Sequence, residues 1–296
     1  MINRRWALGL GVAVLAAGAA GAQDNPFAKA PHASAPPQTD YDPALVALVG
    51  GTQRSAANKA RDAWRHPLES LSFWGIQPGL TVVDVDPGGG YWTEILAPYL
   101  AQGGGRYVAA TPDPSDPATS DAARRAAAAF RDKYGNASVY GPIAYAPFSA
   151  AKGLTFAPNT ADLILFSRYF HNLLWTPGAV PTVMDSFAAA LVPGGVLAVE
   201  EHRADPRPMI KEARDGYVAE DVVIAAAKSA KLIFDKASEI NANPKDGKDH
   251  PFGVWTLPPT RRSAPEGQPP NPAFDHGPYD AIGESDRMTL RFRKAV

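Results

Sequence analysis

From Leu80 to Ser238 the sequence switches repeatedly between two periods. Short runs of β-branched and aromatic residues bounded by Gly, Pro, Asn or Asp give way to stretches with apolar residues at three- and four-residue spacing. Strands are predicted at 80–85, 106–110, 138–140, 161–166, 195–200 and 231–238, with helices near 91–101, 119–134, 179–191 and 218–229. Alternation of this kind constrains the fold more than any other feature. It demands right-handed βαβ crossovers and therefore a parallel sheet with helices on both faces. One further strand candidate, RMTLRFR at 287–293, has no helix before it and fits an antiparallel last strand. The expectation is an α/β, mostly parallel seven-stranded sheet.

Residues 43–79 carry helical signals before the first strand. Leu45, Val46, Leu48 and Val49 form one group, then Ala60, Trp64, Leu68 and Leu71 fall near helical spacing, with Pro67 able to start a new helix. A long Pro-rich loop, 241–285, precedes the last strand. It holds Phe252, Trp255, Leu257 and Tyr279, too much apolar material for a solvated tail, so an ordered cover is expected. A single domain over 43–296 accommodates all of this.

The N-terminus, MINRRWALGLGVAVLAAGAAGAQD, places the basic pair Arg4 and Arg5 before an apolar run and the small residues Ala20, Gly21 and Ala22. It reads as a signal peptide, 1–22, followed by a flexible leader, 23–42. A retained anchor is the competing reading, but the run is short and Ala/Gly-rich for a span. The expected destination is periplasmic or secreted, with no stable membrane insertion after cleavage. The chain has no cysteine, which removes disulfides, thiolate metal sites and a cysteine nucleophile. A formal net charge of -1 lacks the basic footprint of a nucleic-acid binder, so the expected partner is a small molecule.

The chemistry centres on VVDVDPGGGYWTEIL, residues 82–96, in which a strand runs into a carboxylate, three glycines and a helix start. Such a turn brings backbone N–H groups and a positive dipole end toward a ligand. The dinucleotide fingerprint G-x-G-x-x-G is not met, because Thr93 follows Gly88 and Gly90 at the last glycine's place. No G-K-[ST] phosphate loop is present either. Asp86 stands two residues after Asp84, which on a strand puts both carboxylates on one face and favours a cationic partner. Tyr91 and Trp92 can stack on a flat ring or pack the first helix.

With Asp84, Gly88 and Gly90 at the end of the first strand, and Leu191-Val192-Pro193-Gly194-Gly195 before the fifth, the sequence resembles the class I S-adenosylmethionine-dependent methyltransferases. That resemblance implies a Rossmann-like class I methyltransferase fold. It also implies S-adenosylmethionine as cofactor, held by Asp84, Asp86, Gly88, Gly89 and Gly90. Asp86 replaces the family's usual first glycine. Thr111 stands where an acid normally binds the ribose, leaving Asp113 as the candidate for that contact. RHPLESLSFWGIQPG, FHNLLW, EHRAD, EINANPKDGKDHPFGVWTLPP and IGESDRMTLRF resemble, more closely, a group of exported bacterial predicted methyltransferases.

Ligands in open α/β sheets bind beyond the carboxyl ends of the strands. Residues there are the site candidates. His171 and His202 are candidate general bases, with capping or core packing as the competing role. Arg168 and Glu201 are candidate substrate contacts, Arg168 for an anionic group or else for a surface ion pair. From the Pro-rich loop, His250, Trp255 and Tyr279 can line a substrate pocket. His171, Glu201 and His202 offer metal-compatible donors, but no H-x-x-H or H-E-x-x-H spacing supports a site, and none is assigned. ESDR at 284–287 reads as a turn with an internal ion pair. The sequence thus points to methyl transfer to a small molecule. Asp86, Thr111 and the destination of the chain motivate the alternative, a non-catalytic exported ligand-binding protein on the same fold; a metal-dependent hydrolase is the third reading.

Overall fold

The computed structural model describes residues 40–205 and 209–296, so the signal-peptide stretch and most of the leader lie outside the described residues. Four helices come first: α1 (Pro43–Gly50), α2 (Ala56–Lys59), α3 (Asp62–Arg65) and α4 (Pro67–Trp74). The alternating part runs β1 (Thr81–Val85), α5 (Thr93–Gln102), β2 (Arg106–Thr111), α6 (Asp121–Tyr134), α7 (Ala137–Tyr140), β3 (Ile143–Ser149), β4 (Gly153–Leu154) and β5 (Ala161–Ser167). It continues through α8 (Phe170–Leu173), α9 (Ala179–Ala190), β6 (Leu191–His202), α10 (Glu220–Ser229) and β7 (Leu232–Ser238). The last segment holds β8 (Pro251–Val254), α11 (Gly277–Ile282) and β9 (Arg287–Lys294).

The sheet has eight strands in the order β4-β3-β2-β1-β5-β6-β9-β7. β3, β2, β1, β5 and β6 are mutually parallel, while β9 is antiparallel to both β6 and β7. Two expectations are corrected here. The sheet gains an eighth member, the two-residue β4, which folds back antiparallel on the end of β3. The third strand is 143–149, not 138–140. Asn136 accepts the Ser138 N–H at 3.1 Å and caps α7, which Gly141 then ends at φ 70, so the strand starts only after that turn. Asp42 is also part of the ordered structure, accepting the Ala44 N–H at the start of α1 and the Tyr99 hydroxyl at 2.6 Å.

Side-chain alternation on the strands divides the interior into two cores. Val83, Val85, Ile164, Phe166, Leu197, Val199, Leu290 and Phe292 face α9 and α10, where Val183, Phe187, Val223 and Ala227 meet them. Val82, Leu163, Leu165, Ala109 and Ala198 face the other way, against Leu71 and Trp74 of α4 and Ile95 and Leu96 of α5. Because β9 places Met288, Leu290 and Phe292 in the first core, Arg287, Thr289 and Arg291 project on the α4 side. No helix among the described residues is long and apolar enough to cross a membrane.

Candidate active site

The site begins where β1 ends. Asp84 is buried at 1% exposure and its Oδ2 accepts the Tyr107 hydroxyl at 2.7 Å; Tyr107 in turn meets Thr93 Oγ1, at the first residue of α5, at 2.8 Å. Desolvation pushes the Asp84 carboxyl up to about 7, with the Tyr107 hydrogen bond opposing. Asp84 therefore fixes the start of α5 from behind. The strand stops at Val85, and Asp86 turns left-handed at φ 49, the backbone region glycine favours. The expected shared face of Asp84 and Asp86 is lost with that turn, since strand alternation ends before Asp86: one carboxylate is buried and the other exposed. Desolvation raises the Asp86 carboxyl pKa, and Arg168 pulls it down.

The three glycines differ. Gly90 sits at φ 81, and a Cβ there would lie 2.0 Å from Tyr134 Oη, so no larger residue fits. A Cβ on Gly89 would meet nothing within 4 Å. The Gly88 and Gly89 N–H groups have no acceptor among the described residues, whereas Gly90 N–H returns to Pro87 O at 2.9 Å. The turn thus presents open backbone donors and the N-terminal end of α5. Tyr91 and Trp92, each 3% exposed, pack inward: Tyr91 Oη donates to Asp62 at 2.7 Å and Trp92 stacks edge-on against Trp74. Past β2, Thr111 is buried, and Asp113 Oδ1 accepts both the N–H and the hydroxyl of Ser115, at 2.8 and 2.7 Å. Its Oδ2 is the oxygen left for a ligand.

The ends of β5 and β6 form the second part. Glu200 and Glu201 point to opposite faces of the sheet. Glu201 Oε2 accepts the backbone N–H of His171 in α8 at 3.2 Å, and Oε1 accepts that of His202 at 2.8 Å. The same Oε1 lies 3.0 Å from His171 Nδ1. With two backbone donors on the carboxylate, Nδ1 is the proton-bearing nitrogen, which leaves the lone pair on Nε2. Nε2 makes no hydrogen bond among the described residues. His202 Nδ1 meets Ser285 Oγ at 2.5 Å, and burial, with help from His171 and Arg168, drives the His202 pKa well below the usual histidine range. Ligand atoms of His171, Glu201 and His202 lie within 4.8 Å of one another, a grouping the sequence spacing did not indicate. The hydrogen bonds just described account for their approach.

Glu200 faces a cluster of arginines. Ser167 Oγ donates to its Oε2 at 2.7 Å and Arg287 Nη1 lies 2.9 Å from Oε1. Glu284 receives Arg61 at 2.5 Å and Arg65 and Arg287 at 2.9 Å each, so the 284–287 turn holds its internal ion pair and two further arginines. Desolvation alone would raise both carboxyls, but Arg287 and Arg65 at Glu200, and Arg65, Arg287 and Arg61 at Glu284, outweigh it and hold both pKa values below the ordinary range. Arg168 takes φ 54 where β5 ends, with its N–H on Glu200 O at 2.6 Å.

A cavity of about 330 Å³ opens between these groups and the Pro-rich segment. Arg168, His171, Trp175 and His202 line one side; Trp255, Pro258, Pro259 and Arg262 line the other. Of the three candidates from that segment, only Trp255 reaches the cavity. His250 bonds to Asp246 at 2.7 Å, and Tyr279 stacks on Phe274 with centroids 5.4 Å apart. Both serve the packing of the segment itself. Sequence reasoning missed Tyr107, Arg61, Arg65 and Trp175; only Trp175 carried a signal, four residues after His171.

No family model matches the chain, and no curated protein matches it. Among solved structures it is similar to the [4+2]-cyclase SpnF, with a TM-score of 0.51 and 15% identity over 86% of this chain and 93% of that one. A SAM-dependent methyltransferase from Aquifex aeolicus aligns with a TM-score of 0.48 and 17% identity, covering 68% of this chain and 94% of that one. Another from Methanosarcina mazei gives a TM-score of 0.47 and 11% identity over 76% and 97%. At these identities the likeness is one of fold: a mixed α/β, Rossmann-like methyltransferase fold.

Proposed function

We propose that the protein transfers a methyl group from S-adenosylmethionine to a small molecule, with the cofactor against Asp86 and Gly88–Gly90 and the acceptor in the cavity beside His171. One observation carries this reading. The open glycine turn and the His171–Glu201 pair stand at the ends of β1, β5 and β6, at the switch point of the strand order, where open α/β sheets bind ligands. The turn suits the cofactor in kind: an exposed carboxylate for its cationic groups, unpaired N–H groups, and open space in front of Gly89. Asp84 supports the turn through Tyr107, and Asp113 offers Oδ2 to the ribose.

When bound, the cofactor supplies a methyl group already activated on a sulfonium. The chain's residues position the acceptor and take its proton. Glu201 holds the His171 ring so that Nε2 receives that proton, while His202, kept neutral by burial, adds no charge beside it. Trp175 and Trp255, with centroids 5.9 Å apart, wall part of the cavity. Fold likeness by itself leaves the reaction open, since one similar structure is named as a cyclase.

Calorimetric titration with S-adenosylmethionine and S-adenosylhomocysteine tests the reading. Both should bind the wild-type protein, and Gly89→Phe should abolish binding at unchanged melting temperature, because the new side chain meets only open space. Failure of both ligands to bind the wild type overturns the proposal. Once an acceptor is in hand, His171→Ala should lower turnover by about 10²- to 10⁴-fold; full turnover in that variant, with His202→Ala equally silent, removes the proton-transfer role. Binding without turnover of any acceptor would instead favour the non-catalytic alternative. Export, and with it the exported methyltransferase group, belongs to the same proposal and rests on Arg4, Arg5 and the run that follows. Cell fractionation with and without residues 1–22 checks it.

A further inference from the structure

The cavity holds an arginine that no described residue pairs. Arg168 makes no side-chain hydrogen bond or ion pair among the described residues, and its Nε is buried without an acceptor. The neighbouring carboxylates, Glu200 and Glu284, act on Arg168 through space and make their close contacts with other groups. Glu284 serves Arg61, Arg65 and Arg287, and Glu200 serves Ser167 and Arg287. Arg65, at 0% exposure, leaves both terminal nitrogens unpaired, and Arg61 leaves Nη2 unpaired. Four guanidinium groups thus crowd two carboxylates in a largely buried region, which is costly unless a further anion or water enters from the cavity. Asp84 and Asp86 act on Arg168 only at longer range, and neither forms an ion pair with it.

Flat rings wall part of the cavity, whose remaining lining is mostly polar and includes Asn172, Thr260, Glu266 and Ser285. Trp175 and Trp255 meet at an interplanar angle of 50°, His171 stands edge-on to both, and Arg262 lies over Trp255 at 5.0 Å. A volume of about 330 Å³ is at the small end for ligand pockets. We infer that the acceptor is a small carboxylate-bearing molecule with a planar apolar body, its carboxylate on Arg168 and its ring against Trp175 and Trp255. Arg168 is well suited to this because its planar fork matches a carboxylate bidentately, and its left-handed backbone, tied to Glu200 O, fixes where the fork starts. The inference rests on the methyl-transfer reading for the word acceptor, but the anion site itself is testable without turnover.

The test uses 4-hydroxybenzoate and its neutral methyl ester as probes, titrated calorimetrically into the protein with and without S-adenosylhomocysteine. The acid should bind at least tenfold more tightly than the ester. Arg168→Gln should erase that preference by weakening the acid alone, Arg168→Lys should keep part of it, and both variants should bind S-adenosylhomocysteine as the wild type does. Equal binding of acid and ester by the wild type, or binding of neither, overturns the inference. So does a loss of S-adenosylhomocysteine affinity in Arg168→Gln, which would assign the arginine to the cofactor's own carboxylate. Discrimination between acid and ester in a protein that binds no S-adenosylhomocysteine would leave the anion site standing and the methyl-transfer reading fallen.

Discussion

The glycine turn after β1 and the charged basket between β5, β6 and β9 lie at the same edge of the sheet but are built in opposite ways. The turn is continuous in sequence, open to solvent and made of backbone. Its binding capacity comes from N–H groups left unpaired at Gly88 and Gly89 and from the conformation that Gly90 alone permits. The basket is assembled from five separate stretches around 61–65, 167–171, 200–203, 255–262 and 284–287, is largely buried, and is made of side chains. A backbone site needs only local conformation. A side-chain site needs the whole sheet, and its members hold one another in place.

The difference sets the order in which mutations should act. Glu284→Ala should be the most damaging, since it leaves Arg61, Arg65 and Arg287 buried around a missing charge; about 3 to 5 kcal/mol of stability should be lost by denaturant titration. A loss below about 1 kcal/mol would mean that water or Glu200 replaces it and that the basket is less interlocked than described. The same carboxylate makes the fold acid-sensitive. With its folded pKa far below the unfolded value, its stabilisation is complete above about pH 4.5 and disappears as pH falls toward the folded value.

Asp84, behind the turn, behaves in the reverse sense. Its folded pKa of about 7 exceeds an unfolded value near 3.8, so the native protein keeps a proton that the unfolded chain releases. Stability should therefore fall as pH rises from about 4 to 7, and Asp84→Asn should remove that part of the fall, about 2 to 4 kcal/mol. Parallel pH profiles for wild type and variant would show this as a missing slope; identical slopes would mean the carboxylate is ionised in the fold. Next comes Gly90→Ala, which combines a left-handed backbone with a clash on Tyr134 and should cost about 1 to 3 kcal/mol while abolishing cofactor binding. Smallest is Asp113→Ala, which removes one local turn at an exposed loop. It should change stability by no more than about 0.5 kcal/mol yet weaken S-adenosylmethionine by about two- to tenfold in calorimetry. No change in affinity would strike Asp113 from the cofactor's contacts.

How much of this could be read in advance follows from the same contrast. The alternation of periods from Leu80 onward, the VVDVDPGGGYWTEIL turn and RMTLRFR were legible because strand and helix periodicity and glycine chemistry are local properties. His171, Glu201, His202, Arg168 and Trp255 were legible as candidates because strand ends are where such folds place ligands. The pairings were not. Nothing in the sequence tells that Glu201 caps α8 and holds His171, that Arg61 and Arg65, more than 200 positions from Glu284, converge on it, or that His250 turns to Asp246 instead of the cavity.

The sequence by itself determined the α/β class, the direction of the last strand and the place of the turn, all of which follow from periodicity, connection length and the few residues that tolerate a positive φ. Tertiary structure alone decided which carboxylates are free. Asp84 and Asp86, two residues apart, part company because the strand ends between them. Glu200 and Glu201, adjacent in sequence, serve an arginine cluster and a histidine because a strand sends neighbours to opposite faces. Partners for a buried charge are chosen by distance in the folded chain, and that distance is unrelated to separation along it.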